Sequence, residues 1–191
     1  MHNVTMVSLD FSFNNCGYAE TDVQFSNAMG AWLENDYESF QECFRVKRIF
    51  TVHPKEPEFA RNKTDLFVKK CGSMYKTLQN LTAMSNAAYM FAELPYGSKS
   101  QKASKSLGAV AGMYAALCVN TPCDRDTVTP AKVKKAAGGN SKSSKQFMMD
   151  WARSNWPNLA WNNNNSDEHM ADAIACGLAG MILVAERHFE Q

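Results

Sequence analysis

The apolar pattern of the chain predicts an α/β domain built on a mixed sheet of about five strands flanked by helices. Three observations carry this. Three strand-like segments follow one another at residues 4–9, 17–23 and 43–52, the order of a meander. From residue 62 onward, segments of helical spacing alternate with two short strand-like ones, 87–93 and 123–128. The first segment holds Val4, Met6, Val7 and Leu9 and is apolar nearly throughout, as a strand buried on both faces must be.

That first strand closes on an acid, Asp10. A carboxylate in a buried strand costs several kcal/mol unless something pairs with it, so its presence needs a reason. Phe11 to Cys16 form a Ser/Asn-rich turn, and residues 17–23 run back antiparallel. Across residues 22–42, Met29, Trp32, Leu33 and Phe40 are spaced irregularly among polar residues, the pattern of a loop or short helix. Residues 43–52 alternate apolar and charged side chains, a strand with one wet face, and His53-Pro54-Lys55-Glu56-Pro57 breaks it. A helix follows over 62–85 (Leu66, Val68, Met74, Leu78, Leu81), with Asn62 or Thr64 as its N-cap. The strand at 87–93 again ends on an acid, Glu93, and Pro95-Tyr96-Gly97 stops it.

A lysine- and serine-rich loop at 98–104 leads into a helix over 103–119. Its small residues, among them Gly108, Ala111, Gly112 and Ala115, permit close approach of another element or another subunit. The strand at 123–128 runs into Pro130, the first residue of a helix. Residues 136–144 are flexible in composition, a helix resumes over 145–156, and 162–165 form a polar linker. The last helix, 167–188, is capped by Ser166, with acids in its first turn and Arg187 and His188 in its last.

With 191 residues, 45% of them apolar, the chain 1–191 reads as one domain able to bury its own core. No basic-then-apolar leader follows Met1, and the apolar stretch at 173–185 is shorter than the roughly 20 residues of a membrane span, so the expectation is a cytoplasmic protein, neither secreted nor membrane-bound. The six cysteines are scattered with no C-x-x-C pair, which points to free thiols in a reducing compartment. Asn-x-Ser/Thr triplets at Asn3, Asn62, Asn80 and Asn164 are then chance matches. The formal net charge of +1 hides an asymmetry. Residues 97–145 hold nine cations against two acids, a net +7, which leaves −6 for the rest and predicts a polyanion-binding face.

Asp10 and Glu93 are each the acid at the end of an apolar strand. If those strands are neighbours, the two carboxylates converge at one sheet edge. His169 and Asp172, three apart, share a face near the start of the last helix, with Asp167 and Glu168 close by. Acids brought together repel unless cations join them. Hard oxygen ligands beside a lysine-rich face are what Mg²⁺-dependent phosphodiester chemistry needs, where two ions about 3.5–4 Å apart act together. Strand-end acids also cap and pair in purely structural roles, and the spacing alone admits both readings.

The order strand-Asp, three-strand meander, strand-Glu and late helix with a closely spaced acid pair resembles the ribonuclease H-like nuclease superfamily, and the local motifs resemble RuvC-type Holliday-junction resolvases. Asp10-Phe-Ser-Phe-Asn-Asn15-Cys-Gly17-Tyr18 keeps the first motif's spacing, and Glu93-Leu-Pro-Tyr96 the second's. The small-residue helix from Lys105 to Gly112, then Val133-Lys134, Gly138-Gly139 and Lys145, and last His169-Met-Ala-Asp172-Ala follow in the family's order over nearly the whole chain. Phe11-Ser12 departs from the usual Pro-Gly, residues 22–42 diverge, and His169 stands where many members carry Asp.

The resemblance implies metal-dependent, paired cleavage of four-way DNA junctions by a homodimer. Asp10, Glu93 and Asp172 would hold two Mg²⁺ (or Mn²⁺) ions, with His169 completing the site or Glu168 substituting. Tyr96 would stack on a base near the junction centre. Lys134 and Lys145 would grip phosphates, with Lys99, Lys102, Lys105 and Lys142 extending the footprint. The 103–119 helix is the candidate for the dimer interface, or packs on the sheet. A nuclease of the same fold acting on RNA–DNA hybrids, flaps or other branched DNA, and a DNA-binding scaffold without catalysis, are the two rivals.

Overall fold

The computed structural model describes residues 3–94, 97, 100–164 and 166–189, with Lys102 described by its backbone only. Five strands, β1 (Asn3–Phe11), β2 (Cys16–Gln24), β3 (Phe44–Val52), β4 (Tyr89–Glu93) and β5 (Asp124–Val128), form one sheet in the order β3-β2-β1-β4-β5. β1, β2 and β3 are the antiparallel meander, while β4 and β5 join parallel to β1, so the sheet is mixed.

β1 is rich in apolar residues on both faces (Val4, Met6, Val7, Leu9 and Phe11) because both are covered. Val7, Leu9 and Phe11 pack beneath α3 (Lys63–Ser85) and α4 (Gln101–Asn120), whereas Val4 and Met6 face α7 (Asp167–Phe189) on the other side. α7 lies across β1, β2 and β4, flanked by α1 (Phe25–Leu33), α5 (Pro130–Ala136) and α6 (Lys145–Asn155). By length and composition α7 could cross a membrane, yet 67% of its most apolar window is buried within the protein. The apolar run is therefore longer than its sequence core at 173–185 indicated, because the sheet covers one side of the helix and its helical neighbours the others.

Residues 22–42, expected as loop or short helix, close β2 at Gln24 and then form α1 and α2 (Tyr37–Glu42). Asp36 caps α2 by accepting from Ser39 N at 3.0 Å, and Ala28, Met29 and Phe40 join the α7-side core. Asn62 is the N-cap of α3, accepting from Thr64 N and Asp65 N. α4 begins at Gln101, two residues before the expected start, because Ser100 caps it by accepting from Ala103 N at 3.2 Å. Val110, Met113, Tyr114 and Leu117 bind α4 to the sheet, and Tyr114 donates to Asp126 O at 2.8 Å. Its small residues lie on the other side: Gly108, Ala111, Gly112 and Ala115 are exposed, and a Cβ at either glycine would meet nothing within 4 Å. All six cysteines are free.

Candidate active site

The two strand-end acids meet. In the parallel β1–β4 pairing Asp10 is the register partner of Glu93, on strands that neighbour each other at the usual spacing of about 4.8 Å. Period-two alternation puts both on the α7 side of the sheet, continuing the rows of Met6 and Phe91. Asp172 joins them from the first turns of α7, close enough that the charges of Asp10 and Asp172 both act on Glu93. Burial, first, and then repulsion from Asp10 and Asp172 push Glu93 up to about 8, against a smaller opposing pull from Lys134. Asp172 is pushed up to about 7 by burial and then by Asp10 and Glu168, with His169 and Lys134 opposing.

Gly17 explains why α7 can come so near. It is the β2 partner of Asp10, and a Cβ there would stand 1.8 Å from the carbonyl oxygen of His169. The helix start thus rests on bare backbone, which sets His169 over Asp10: Nδ1 lies 2.6 Å from Asp10 Oδ2. That hydrogen bond is the chief cause of the raised pKa of His169. Asn15, from the β1–β2 turn, places Nδ2 3.3 Å from His169 Nε2 and Oδ1 2.7 Å from His53 Nδ1. With the amide so placed, Asn15 donates to His169 and accepts from His53, and a neutral His169 donates from Nδ1 to Asp10. The reversed amide suits a protonated His169. Both ring nitrogens are engaged, so His169 as it stands orients Asp10.

The neighbouring acids have other occupations. Glu168, the expected substitute ligand, pairs with Lys145, Nζ to Oε1 2.6 Å. Asp167 is fully buried, bonded to Arg153 at 2.5 Å and accepting from the backbone of Asn162 and Asn163, so it fastens α6 and the preceding loop to α7. Ser166, expected as the cap of α7, donates its hydroxyl to the Asn164 side chain. Cys176, one turn beyond Asp172, is a buried thiol whose pKa is pushed well up by burial. Trp151, Trp156 and Trp161 pack against the α7-side core rather than forming a stacking ladder.

The +7 segment does not make one face. α4 and α5 lie on opposite sides of the sheet, and the cations divide between them. Lys105 stands on α4 with Nζ 4.6 Å over the Phe67 ring, whereas Lys132 turns away to Glu186 at 3.6 Å. Lys134 and Lys145 reach the acids from the α7 side, and Lys142 is exposed on the loop between α5 and α6. Tyr96 and Lys99 lie outside the described residues, as does the side chain of Lys102. Asn15 and His53 carried no role in the sequence reading. Asn15 stood inside the first motif, but His53 opened a strand-breaking run and gave no sign that it would face the site.

Among the described residues no three His, Cys, Asp or Glu side chains stand in metal-binding geometry. What fits a metal is the chemistry of the donors: three half-buried carboxylates, two of them held well above the ordinary carboxylate range by their surroundings. Such an oxygen-rich surplus of negative charge suits a hard divalent cation.

No protein-family model and no curated protein matches the chain. Among solved structures, RuvC of T. thermophilus in complex with a Holliday junction substrate is similar with a TM-score of 0.71 at 14% identity, covering 96% of both chains. A further Thermus thermophilus RuvC structure gives 0.65 at 14% identity over 95% of this chain and 96% of that one. The yeast mitochondrial Holliday junction resolvase Ydc2 gives 0.58 at 11% identity over 96% of this chain and 82% of that one. The likeness is one of fold, the ribonuclease H-like mixed sheet of five strands flanked by helices.

Proposed function

We propose that the chain 1–191 is a metal-dependent endodeoxyribonuclease that resolves four-way (Holliday) junctions by paired hydrolysis of phosphodiesters. The observation that carries this is the in-register pair Asp10–Glu93 facing His169 and Asp172 at one sheet edge. The neighbour that shares this fold with a junction substrate bound supports the choice of DNA.

Asp10, Glu93 and Asp172 would hold Mg²⁺, two ions per site, or Mn²⁺ in its place. When bound, such ions activate water and stabilise the leaving oxygen of a phosphodiester. The chain's own contribution is arrangement. The β1–β4 register sets two carboxylates side by side, Gly17 admits the α7 backbone, and His169, held by Asn15, fixes how Asp10 is turned. Lys134 and Lys145, on the α7 side, would contact scissile phosphates, while Lys142 on the α5–α6 loop and Lys105 on α4 would extend the footprint. Tyr96, Lys99 and Lys102 would extend the contact from the segment after Glu93.

A four-way junction is nearly two-fold symmetric, and a C₂ homodimer offers two sites to match it. The exposed small-residue face of α4, with Val119 82% exposed beside it, supports that helix as the interface. Six free thiols suit a cytoplasmic protein.

The test is cleavage of a synthetic four-way junction by wild type and Asp10→Asn, in Mg²⁺ and in EDTA, with linear duplex, a flap and an RNA–DNA hybrid as competitors. Symmetric metal-dependent nicks that vanish in the variant are the expected result. Faster cutting of the flap or hybrid would transfer the activity to another substrate, and tight binding with no cutting in Mg²⁺ or Mn²⁺ would leave a scaffold.

A further inference from the structure

Asn15 bridges two imidazoles, and the structure shows what holds it there. The β2–β3 register pairs Cys16 with Val52, and one residue further the same antiparallel run sets Asn15 opposite His53. Pro54 follows, and the residue before a proline is biased to extended backbone, which keeps His53 in line with β3. Ser12 pins the main chain of Asn15. Its hydroxyl donates to Asn15 O at 2.6 Å and accepts from Asn15 N at 3.1 Å, and its own N–H donates to the same carbonyl at 2.9 Å. The backbone leaves open which end of the amide faces which ring, because the two ends are alike in size.

Each choice fixes where the His169 proton sits. As the amide stands, His53 Nδ1 donates to Oδ1 at 2.7 Å, and Nδ2 donates to His169 Nε2 at 3.3 Å. Nε2 is then bare, and the single ring proton of a neutral His169 is on Nδ1, which gives it to Asp10 Oδ2 at 2.6 Å. With the amide turned over, Oδ1 accepts from Nε2–H, and Nδ2 needs an acceptor on His53. Nδ1 is bare in that arrangement and faces Asp10. An imidazole that ligates a metal donates its other N–H to an oxygen in this way. The ring holds one proton in both cases, and only its place differs. His53 favours the first arrangement, since the protonated ring and one of its two neutral tautomers both carry a proton on Nδ1.

We propose that His53 is a positioning residue that decides the metal preference of the site. By donating to Asn15 it keeps the proton on His169 Nδ1, so the site presents oxygen alone, the ligand set of a hard cation such as Mg²⁺. Without that donor the amide turns, Nδ1 joins the carboxylates, and cations that seek imidazole, Ni²⁺ among them, gain. His53 is exposed and stands on a different element from every acid, so it acts through Asn15 and His169. The proposal rests on the reading of Asp10, Glu93 and Asp172 as a metal centre.

The experiment titrates the full chain with Mg²⁺ and with Ni²⁺ by calorimetry and reads the ratio of the two affinities, in which a change of overall charge cancels. His53→Ala should raise the Ni²⁺:Mg²⁺ ratio about 3- to 10-fold, the scale of one neutral hydrogen bond. Asn15→Asp, which can only accept from His169, should raise it roughly 10- to 100-fold, the scale on which the outer partners of a ligand act. His53→Lys restores a donor and should return the ratio to the wild-type value. Adding His169→Ala to His53→Ala should abolish the gain. An unchanged ratio in His53→Ala and Asn15→Asp at wild-type melting temperatures would overturn the proposal, as would a gain that survives the loss of His169. Junction nicking by wild type, scored in parallel with Mg²⁺, keeps the two readings apart. A shifted ratio with no nicking of any DNA upholds the role of His53 and removes the nuclease. Nicking with an unshifted ratio removes the role of His53 alone, and binding of neither metal removes both.

Discussion

The sheet carries two clusters of acids, and they are built on opposite plans. On β2 and β3, Glu20 is nearly sealed from solvent but meets Arg48 at 2.5 Å and Lys47 at 3.0 Å, and Tyr18 donates to it from beside. Asp22 next to it meets Arg45 and Lys47, and although burial raises its pKa, the hydrogen bonds from Arg45, Thr5 and Lys47 outweigh that and hold it low. At the β1–β4 edge the ratio is reversed. Asp10, Glu93 and Asp172 share one imidazole and the distant charge of Lys134, while Lys145 is committed to Glu168. Paired acids hold a sheet together. Acids left short of cations, buried and repelling one another, keep a place for a ligand.

The largest effect should come from the unpaired cluster. Asp10→Asn is expected to lower junction cleavage by on the order of 10³-fold or more, the scale of several kcal/mol of lost charge stabilisation, while junction binding by gel shift changes little. Undiminished cleavage would show that the edge acids do not carry the chemistry. In the paired cluster the same kind of change should act on stability instead. Arg48→Met leaves buried Glu20 with Lys47 as its one cation and should cost about 2–3 kcal/mol in urea unfolding, with kcat on any substrate retained in the folded fraction.

Glu93→Gln should do the reverse of Arg48→Met. A carboxyl whose pKa is higher folded than unfolded contributes stability that is complete below its unfolded value, near 4, and is lost as pH climbs through the folded one. For the metal-free protein that window runs from about pH 4 to about 8 for Glu93 and about 7 for Asp172. Wild type should therefore weaken across this range. Glu93→Gln should be more stable by about 1–3 kcal/mol at pH 8.5 and nearly equal at pH 4. Mg²⁺ should raise the melting temperature more at pH 8 than at pH 5, because protons and metal compete for the same oxygens. A pH-independent difference would mean that Glu93 is not held in its repulsive setting.

The smallest effect belongs to Asn15→Ala. It releases His169 and is expected to lower kcat by about 3- to 10-fold with KM little changed, on the scale of one neutral hydrogen bond. Asn15→Asp should shift the acidic limb of the pH–rate profile. A purely structural Asn15 would change the melting temperature and leave that profile where it was.

Much of this was legible in the residues. The strand-end acids, the three-residue step from His169 to Asp172, the N-cap at Asn62 and the proline opening α5 are local signals, and local signals survive folding. Residues 22–42 were harder because α1 and α2 are short and owe their order to Met29 and Phe40 packing on the α7 side, which no periodic stripe announces. The lysine-rich segment misled for a related reason: charge counted along a chain ignores that α4 and α5 cross to opposite faces of the sheet.

By itself, then, the sequence determined the five strands and the longer helices, that β1 is covered on both faces, and which acids end the strands, because periodicity and turn chemistry act over a few residues. Tertiary structure alone decided that β4 lies beside β1 with Asp10 opposite Glu93, that Gly17 leaves room for the start of α7, and that Asp167 is sealed against Arg153 while Asp172 faces the other acids. It also brought Phe13 onto Phe67 and Asn15 between His169 and His53. Each of these joins residues far apart in the chain, and such pairings are selected by the packing of whole elements, which leaves no mark on the spacing within any one of them.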